Sequence, residues 1–408
     1  MRKLPELLLP ASCLEVLKIA VLYGADAVYI GGELYGLRAK AKNFSMEDMA
    51  EGIRFAHAHG KKVYVTANIT AHERDLAGVR KYFEELKEIQ PDALIISDPG
   101  VFMIAKDVCP EIDIHISTQA NNVNSSDFNF WHSLGAKRVV TARELSLAEI
   151  RGIRTKIPDD LEIETFVHGA MCISYSGRCL LSNYFTGRDA NLGACTHPCR
   201  WRYHIVEETR PGVYLPIEEN ERGTFIFNAK DLNMIAHLPE LIEAGIDSFK
   251  IEGRMKTALY VATVASVYRK AMNDYLESPE LYAERIPAYE EQIKSCTYRE
   301  FSTGFFYGQP DETAQIYDSN TYVTGRVYYG YIQEVREDGY ARFEQKNKFS
   351  VGDHLEVMHP DGSVTETEVL SIRTPEGEER DSCPHPEELL YIRCADPLHA
   401  FDLMRSKN

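Results

Sequence analysis

The sequence lacks any apolar run long enough to cross a membrane. The first ten residues hold too short an apolar stretch for the core of a signal peptide, and no later stretch approaches ~18 uninterrupted apolar residues. We therefore expect a cytoplasmic protein without membrane association, in which thiols stay reduced. The odd cysteine count, nine, also fits a disulfide scaffold poorly.

Positive charge is scarce as well. The chain has 45 lysines and arginines against 62 acidic residues, for a formal net charge of −17 at pH 7. Because phosphate contacts favour a basic surface, this balance excludes a general nucleic-acid binder, though not one local basic patch. A candidate patch consists of Arg178, Arg188, Arg200 and Arg202, although scattered arginines are more often simply solvated. Low-complexity runs are absent, and 408 residues allow one large domain and a small one.

Several familiar catalytic motifs are also missing. No G-x-G-x-x-G follows the first candidate strand, and neither G-x-S-x-G nor H-E-x-x-H occurs. These absences count against a dinucleotide-binding sheet and against the common hydrolases. Ser174, Ser176 and Ser182 lie near His168 and could supply a nucleophile and base, but nothing in their spacing requires it.

Four of the nine cysteines crowd into one short segment, whereas the others are scattered singly. The four are Cys172, Cys179, Cys195 and Cys199. Four thiolates can fill the coordination sphere of one soft metal centre. Their spacing, C-x6-C-x15-C-x3-C, contains no C-x2-C pair and so departs from zinc ribbons. The spacing favours an iron–sulfur cluster and leaves zinc and uncoordinated thiols as alternatives.

Short apolar runs alternate with helical patterns from residue 5 to about 255. Nine runs are candidate strands: Leu7–Leu9, Ala27–Ile30, Lys62–Ala67, Ala93–Ser97, Ile112–Ser117, Arg138–Thr141, Ile163–Val167, Phe225–Phe227 and Ser248–Ile251. Most are continuous and β-branched, as in strands buried on both faces. Repeated β-then-α units predict an α/β fold with a closed, TIM-like (β/α)8 barrel, an open doubly wound sheet being the alternative. One run is surplus, either Phe225–Phe227 or the short first strand.

The remaining patterns indicate helix starts and domain boundaries. Helices are predicted to begin at three capping-box patterns, Ser-x-x-Glu or Ser-x-x-Asp, that start at Ser12, Ser45 and Ser146. Long helices are predicted over residues 260–298. We expect a barrel domain over residues 1–300 with a cysteine-bearing insertion at about 170–224. A linker over 301–321 and a small antiparallel β-barrel or sandwich over 322–408 complete the chain.

Active residues of such barrels lie at the carboxyl ends of strands. Those positions hold Asn68, Gln119, Asn121, Arg143, His168, Asn228, Lys230, Lys250, Glu252 and Arg254. An Asn there is about as often a helix cap. The run Lys250-x-Glu252-x-Arg254 can hold an anion between two cations, unless it forms a salt-bridge network at the barrel mouth. Since the insertion directly follows His168, we expect a metal centre over the same mouth.

Motifs along nearly the whole chain resemble one known family. The run Glu164-x-Phe-x-x-Gly169-Ala-Met-Cys172-x4-Gly-x-Cys179-x-Leu-Ser182 closely resembles the signature of the U32 family, historically called collagenase-like peptidases. Gln119-Ala-Asn-x-Val-Asn124 and Lys250-Ile-Glu-Gly-Arg254 look like the branch that hydroxylates a wobble uridine in bacterial tRNA, and Asn347-Lys-Phe-Ser-Val-Gly-Asp353 resembles its C-terminal β domain.

The resemblance implies more than the spacing does. Family members are similar in having a [4Fe–4S] cluster on four cysteines, which correspond here to Cys172, Cys179, Cys195 and Cys199. Relatives hydroxylate tRNA, ribosomal RNA or a quinone precursor, and the RNA-modifying ones use prephenate rather than O2. The resemblance therefore implies tRNA, at its anticodon region, and a small dianionic co-substrate as partners. The alternatives are a U32 peptidase and a cluster-bearing subunit that works with a protein partner or a second copy.

Overall fold

The computed structural model describes residues 4–36, 43–172, 179–190, 193–200, 219–220, 223–224, 229–308, 323–385 and 387–407. Eight parallel strands form a closed barrel: β1 (Glu6–Pro10), β2 (Ala27–Gly31), β3 (Lys62–Ala67), β4 (Ala93–Ile96), β5 (Asp113–Ile116), β6 (Arg138–Val140), β7 (Glu162–Gly169) and β8 (Ser248–Ile251). Strand β8 pairs with both β1 and β7, which closes the barrel. The predicted (β/α)8 barrel is confirmed. The short first strand belongs to it, and the surplus candidate 225–227 lies outside the described residues.

Both faces of the barrel strands are buried, which explains their continuous apolar sequences. In β1, Leu7 and Leu9 face outward into the main core beneath the helices, whereas Leu8 faces inward. The inner apolar layer consists of Leu8, Ala27, Tyr29, Tyr64, Ala93 and Ile95. A filled interior of this kind makes the barrel a packed core rather than a pore.

Ten α-helices and four 3-10 helices are present in the described part of the chain. The α-helices are α1 (Leu14–Leu22), α2 (Met46–Ala58), α3 (Leu76–Ile89), α4 (Pro99–Val108), α5 (Ser125–Ser133), α6 (Leu147–Arg154), α7 (Leu181–Thr186), α8 (Leu238–Glu243), α9 (Ala258–Glu277) and α10 (Pro279–Ile293). The 3-10 helices are Glu73–Asp75, Thr118–Ala120, Pro198–Arg200 and Ile235–His237.

The helix caps show how far local sequence decides the helix starts. The Ser45 hydroxyl accepts from the Asp48 amide at 3.1 Å, and Ser146 forms the expected capping box with Glu149. The prediction for α1 was wrong by one residue. Its N-cap is Cys13 rather than Ser12, and no side chain caps the helix.

A short strand, Asp231–Asn233, extends the sheet beyond β7 at the barrel mouth. It pairs antiparallel with the end of β7 and parallel with Phe301–Ser302. Residues 301–308 pack on the barrel domain, where the Phe306 carbonyl accepts from the Leu147 amide at 2.9 Å. The rest of the predicted linker, 309–321, lies outside the described residues. The remaining short strands are Glu219–Asn220 with Gly223–Thr224, and Thr297–Tyr298 with Val323–Thr324.

The C-terminal region forms a second closed barrel, of six antiparallel strands. These are β9 (Tyr328–Val335), β10 (Ala341–Glu344), β11 (His354–Met358), β12 (Val364–Arg373), β13 (Leu389–Cys394) and β14 (Leu403–Ser406). Pairing of β11 with β12 closes the cycle, and Glu379–Arg380 adds a short edge to β12. The predicted small β-barrel is confirmed, although β14 was not anticipated from the sequence.

The two barrels share buried contacts. The Tyr23 hydroxyl, at the end of α1, donates to the carbonyls of Met358 at 2.7 Å and Phe401 at 2.9 Å. Arg405 of β14 donates to Ser295 Oγ at 3.1 Å. These contacts place the second barrel along the helical layer rather than over the mouth. Among the described residues, no helix has the length and apolarity needed to span a bilayer.

Candidate active site and cysteine segment

An ionic network fills the barrel interior below the mouth. Lys250 Nζ lies 2.6 Å from Glu164 Oε1, and Arg138 Nη1 lies 3.0 Å from Glu164 Oε2. Glu164 is fully buried, and Lys250 and Arg138 nearly so. The Lys250 ammonium also lies 4.6 Å from the centre of the Tyr29 ring. Lys250 was predicted at the mouth, but the structure places it one layer deeper, paired to a carboxylate.

Glu6 completes this network from the opposite end of the barrel. Arg138 Nη1 is 2.6 Å from Glu6 Oε1, and the Tyr64 hydroxyl donates to Glu6 Oε2 at 2.6 Å. Burial raises the pKa of Glu6, but the charge of Arg138 and the hydrogen bonds from Arg138, Tyr64 and Ser248 together outweigh it and hold that pKa below its usual value. The interior is therefore a set of paired charges, which makes it a structural part of the barrel.

Arg143 connects the mouth to the cysteine segment. Its Nη1 donates to the Ala170 carbonyl at 2.9 Å, and its Nη2 lies 3.4 Å from Glu252 Oε2. The guanidinium carbon lies 4.1 Å from the centre of the Phe166 ring. Arg143 Nε is buried and has no hydrogen-bond partner among the described residues. A buried donor of this kind at the mouth is suited to an anionic ligand.

A glycine allows β7 and Glu252 to approach each other. Gly169 has φ +107°, and a Cβ there would lie 2.4 Å from the Glu252 carbonyl oxygen. Only glycine combines this backbone conformation with so close a neighbour. The approach sets Glu252 beside Arg143, and Gly169 itself lies three residues before Cys172.

Arg254 lies across the mouth from Arg143, over the end of β2. Its Nη2 donates to Asn43 Oδ1 at 2.8 Å and its Nη1 to Thr66 Oγ1 at 3.3 Å. A Cβ at Gly31 would lie 2.3 Å from Arg254 Nη2, so the lack of a side chain at that position makes room for the guanidinium. Of the Lys250-x-Glu252-x-Arg254 run, the structure therefore brings Glu252 and Arg254, but not Lys250, to the mouth.

The predicted amides occupy the loops after β3 and β5. Asn68 Nδ2 donates to Ser117 Oγ at 3.2 Å, and Asn121 Nδ2 donates to the Gln119 carbonyl at 3.1 Å. Gln119 Oε1 is buried and accepts no hydrogen bond within the described part of the chain. These amides therefore present polar groups at the same end of the barrel as Arg143 and Arg254.

His168 is not brought to this group. It lies buried against the rings of Tyr260, Tyr268 and Phe301, in contact with α9 and the short strand 301–302. Burial lowers the pKa of His168 to about 3, so the imidazole is neutral near pH 7. A register shift at Lys250/Ile251 pairs His168 with Ile251 and turns its side chain toward the helices.

The last two predicted residues lie where the chain returns from the insertion. Lys230 Nζ pairs with Glu300 Oε2 at 2.9 Å, at the surface beside the short strand 231–233. Asn228 lies outside the described residues. Lys230 therefore belongs to the edge of the site, and its carboxylate partner reduces its value as an anion ligand.

Three of the four clustered cysteines, Cys179, Cys195 and Cys199, lie on two described pieces of chain that hydrogen bonds hold together. The Ser182 hydroxyl, fully buried, accepts from the Thr196 amide at 3.0 Å and lies 3.0 Å from Thr196 Oγ1. This contact fixes α7, which begins two residues after Cys179, to the loop between Cys195 and Cys199. Ser182 is therefore a structural residue. The other candidate nucleophiles, Ser174 and Ser176, lie outside the described residues.

The donor set suits a metal cluster. None of the nine cysteines forms a disulfide; Cys172 is exposed, and Cys179, Cys195 and Cys199 are half-buried. The His197 amide donates to Cys195 Sγ at 3.4 Å, the type of hydrogen bond that tunes cluster sulfurs. Among the described residues, no three of these sulfurs all lie within 4.8 Å of one another.

Four of the five scattered cysteines are buried, whereas Cys13 is half-buried. Burial raises the pKa of Cys109 and of Cys383 to about 11, and that of Cys296 and of Cys394 to about 12. Such thiols stay protonated and pack as small apolar groups. The structure therefore separates the clustered cysteines, near the surface at the mouth, from buried thiols that cannot serve as ligands.

Sequence reasoning missed the partner of Lys250. Glu162 and Glu164 are charged residues at alternate positions of a strand that is otherwise buried and apolar. That alternation is a sequence signal for a carboxylate inside the barrel. Ser182 and Thr196 gave no such signal, because their pairing depends on how the insertion folds.

Two family models match the chain. The model of peptidase family U32 matches residues 12–316, and that of the peptidase family U32 C-terminal domain matches residues 325–405. Together they cover the small barrel almost completely and the large barrel except its first strand. The first match ends at residue 316 and the second begins at residue 325.

Two curated relatives share this similarity over most of their length, and a third shares it over less than half. The tRNA hydroxylation protein P1 of Bacillus subtilis is 40% identical over 404 residues, covering 99% of this chain and 95% of the relative. The tRNA hydroxylation protein P of Escherichia coli is 40% identical over 403 residues, covering 89% of this chain and 88% of the relative. The 23S rRNA 5-hydroxycytidine C2501 synthase of Escherichia coli is 39% identical over 272 residues, covering 67% of this chain and 40% of the relative.

Proposed function

The chain belongs to peptidase family U32, and from that premise we propose that it hydroxylates C5 of the wobble uridine of tRNA. The similarity over nearly the whole chain to proteins named for tRNA hydroxylation is the observation that supports this reaction most strongly. The cofactor in this proposal is a [4Fe–4S] cluster, and the oxygen source is prephenate rather than O2. A peptidase is the alternative that the family name suggests.

The four clustered cysteines are the proposed ligands. Cys172, Cys179, Cys195 and Cys199 would hold the cluster, which would supply one-electron chemistry at the mouth. The protein's part is to keep the segment closed through Ser182 and to join it to the barrel through Arg143. The Arg143 contact holds the chain at the mouth two residues before Cys172, and the Ser182 contact ties the part with Cys179 to the part with Cys195 and Cys199.

Arg143 and Arg254 are the proposed ligands of the dianionic co-substrate. Both guanidinium groups lie at the mouth, and Arg143 Nε is a buried donor that a carboxylate oxygen could satisfy. Glu252, 3.4 Å from Arg143 Nη2, keeps that guanidinium oriented and would be displaced from it or share it when the anion binds. The amides of Asn68, Gln119 and Asn121 offer donors and acceptors for the base edge. An unpaired anticodon base can enter such a mouth without breaking a duplex.

The peptidase alternative has less support in the site. Ser182, the candidate nucleophile that the structure describes, is fully buried and bonded to Thr196 rather than to a histidine. His168 is buried among aromatic rings. A hydrolase needs an accessible nucleophile within reach of a base, and these two residues do not provide one.

Mass spectrometry of tRNA nucleosides from a deletion strain tests the proposal. We expect 5-hydroxyuridine and its derivatives to disappear, and to return with a plasmid copy of the gene. Arg143→Ala should fail to restore them, whereas Lys230→Ala, a matched cation at the edge of the site, should succeed. An unchanged nucleoside profile in the deletion strain would contradict the proposal.

A further inference from the structure

Apolar side chains beside the cysteines are exposed to solvent. Leu180 is 68% exposed, Tyr184 82% and Phe185 46%. All three lie in α7 or directly before it, and the rings of Tyr184 and Phe185 meet edge to face with centroids 5.1 Å apart. We refer to these three residues as the α7 platform. Grouped exposure of large apolar side chains usually marks an interaction site.

The helix that carries the platform is fixed to a neighbouring loop by hydrogen bonds. Ser182, on the side of the helix opposite Tyr184, is fully buried and bonded to the loop of Cys195 and Cys199. The Thr186 hydroxyl donates to the Ser182 carbonyl at 2.7 Å and closes the helix. Aromatic rings on a fixed helix lose little conformational entropy when a ligand stacks on them.

In the sequence around the platform, the balance of charge is the reverse of that of the whole chain. Residues 178–202 contain four arginines, Arg178, Arg188, Arg200 and Arg202, and one acidic residue, Asp189. The chain as a whole has 62 acidic against 45 basic residues. Basic residues interleaved with exposed aromatic residues are the pattern by which proteins bind unpaired nucleic acid, because the rings stack on bases and the arginines meet phosphates. An apolar protein partner would not require this local reversal of charge.

The segment that contains the platform starts at the mouth end of the barrel. The cysteine segment leaves the barrel at Ala170, whose carbonyl is held by Arg143 at the mouth. Two further exposed apolar side chains, Leu34 and Met255, lie in the loops that follow β2 and β8, at the same end. A strand of RNA with one base in the mouth would therefore lie at the end of the barrel from which this segment extends.

We propose that the α7 platform stacks unpaired bases that flank the target nucleotide of the RNA substrate. This inference rests on the proposed function and adds to it the surface that would read the RNA as single-stranded. Tyr184 is the principal stacking residue, since it is the most exposed, and Phe185 supports its ring edge to face.

The test measures RNA binding by the full-length, anaerobically purified protein. The probe is a fluorescent RNA hairpin with an unmodified anticodon loop, followed by fluorescence anisotropy. Tyr184→Ala should weaken binding about tenfold, and Tyr184→Trp should restore most of the affinity. Phe130→Ala is the matched control, because Phe130 is an aromatic residue of α5 that is 53% exposed and lies outside the segment. Its affinity should equal that of the wild type.

Abasic substitution of each loop nucleotide in turn identifies the stacked base. At one position the abasic substitution should weaken binding to the wild-type protein. It should not weaken binding to Tyr184→Ala further, because that variant already lacks the ring on which the base would stack. Iron content and thermal unfolding equal to those of the wild type would show that the variant is intact. Tyr184→Ala binding as tightly as the wild type would overturn the inference and leave the platform to a protein partner. The proposed function would survive that result, because the deletion-strain nucleoside profile tests it separately.

Discussion

Removing the Lys250 ammonium should destabilise the large barrel far more than removing an equally short ion pair at the surface. Lys250 and Glu164 are 2.6 Å apart, with side-chain exposures of 5% and 0%. Arg138, the second cation on Glu164, is already shared with Glu6 and Glu162. Lys250→Met would therefore leave three carboxylates around one guanidinium.

The size of the effect follows from the burial of Glu164. Breaking a buried pair by removing one partner costs about 3–5 kcal/mol, because the remaining charge stays desolvated. We expect a loss of this size in the free energy of unfolding, measured by urea titration followed by circular dichroism. Lys18→Met is the matched control. Lys18 lies 2.6 Å from Glu51, but the two side chains are 23% and 49% exposed, and surface pairs of this kind usually contribute at most about 1 kcal/mol.

A double-mutant cycle separates the pair from other effects. Combining Lys250→Met with Glu164→Gln removes both charges, so the double variant should be more stable than the sum of the single losses predicts, by about 1–3 kcal/mol. Additive losses, or a loss below about 1 kcal/mol for Lys250→Met, would refute the view that the interior charges are structural.

Three further predictions concern the mouth and the cysteine segment. Gly169→Ala should lower the free energy of unfolding by about 2 kcal/mol or more, because Gly169 has a φ of +107° and the new Cβ would lie 2.4 Å from the Glu252 carbonyl oxygen. The control is Gly152→Ala, in α6, where nothing lies near the new Cβ; that change should be neutral or stabilising. The pKa of His168 is about 3 in the folded chain and about 6.5 in the unfolded chain, so its contribution to stability should be complete above pH 6.5 and be lost as the pH falls toward 3. His168→Gln should therefore flatten this part of the plot of unfolding free energy against pH. An unchanged slope in the variant would show that the imidazole titrates normally. Ser182→Ala should lower the iron content of the purified protein, measured by a colorimetric assay, because it removes the contact with Thr196. Neither the wild type nor this variant should cleave gelatin. A wild type that cleaves gelatin and a variant that does not would favour the peptidase instead.

The fold followed from the sequence where local patterns determined it. Continuous apolar strands are needed when both faces are buried, so β2, β3 and β8 could be placed within a residue. The capping serines of α2 and α6 were equally reliable, because the cap acts within four residues. Strand β14 was not predicted because it is only four residues long and polar at its end. It is stabilised by pairing with β9 and β11, which the local sequence does not show.

The site was harder to predict because tertiary pairing turns side chains. Simple alternation puts Glu164, Phe166 and His168 on one face of β7. The register shift opposite Lys250 reverses this order, so His168 faces the helices while Phe166 stays beneath Arg143. Lys250 was likewise assigned to the mouth because its partner, Glu164, lies on a different strand. The cysteine spacing, which is local, gave the candidate ligands directly.

The iron and sulfide content of anaerobically purified protein tests the central claim most directly. About four irons and four sulfides per chain are expected, and they should be lost in Cys179→Ala but retained in Cys109→Ala, where the thiol is buried and isolated. A colourless protein that holds one zinc ion, or iron that persists when Cys179 is removed, would contradict the account.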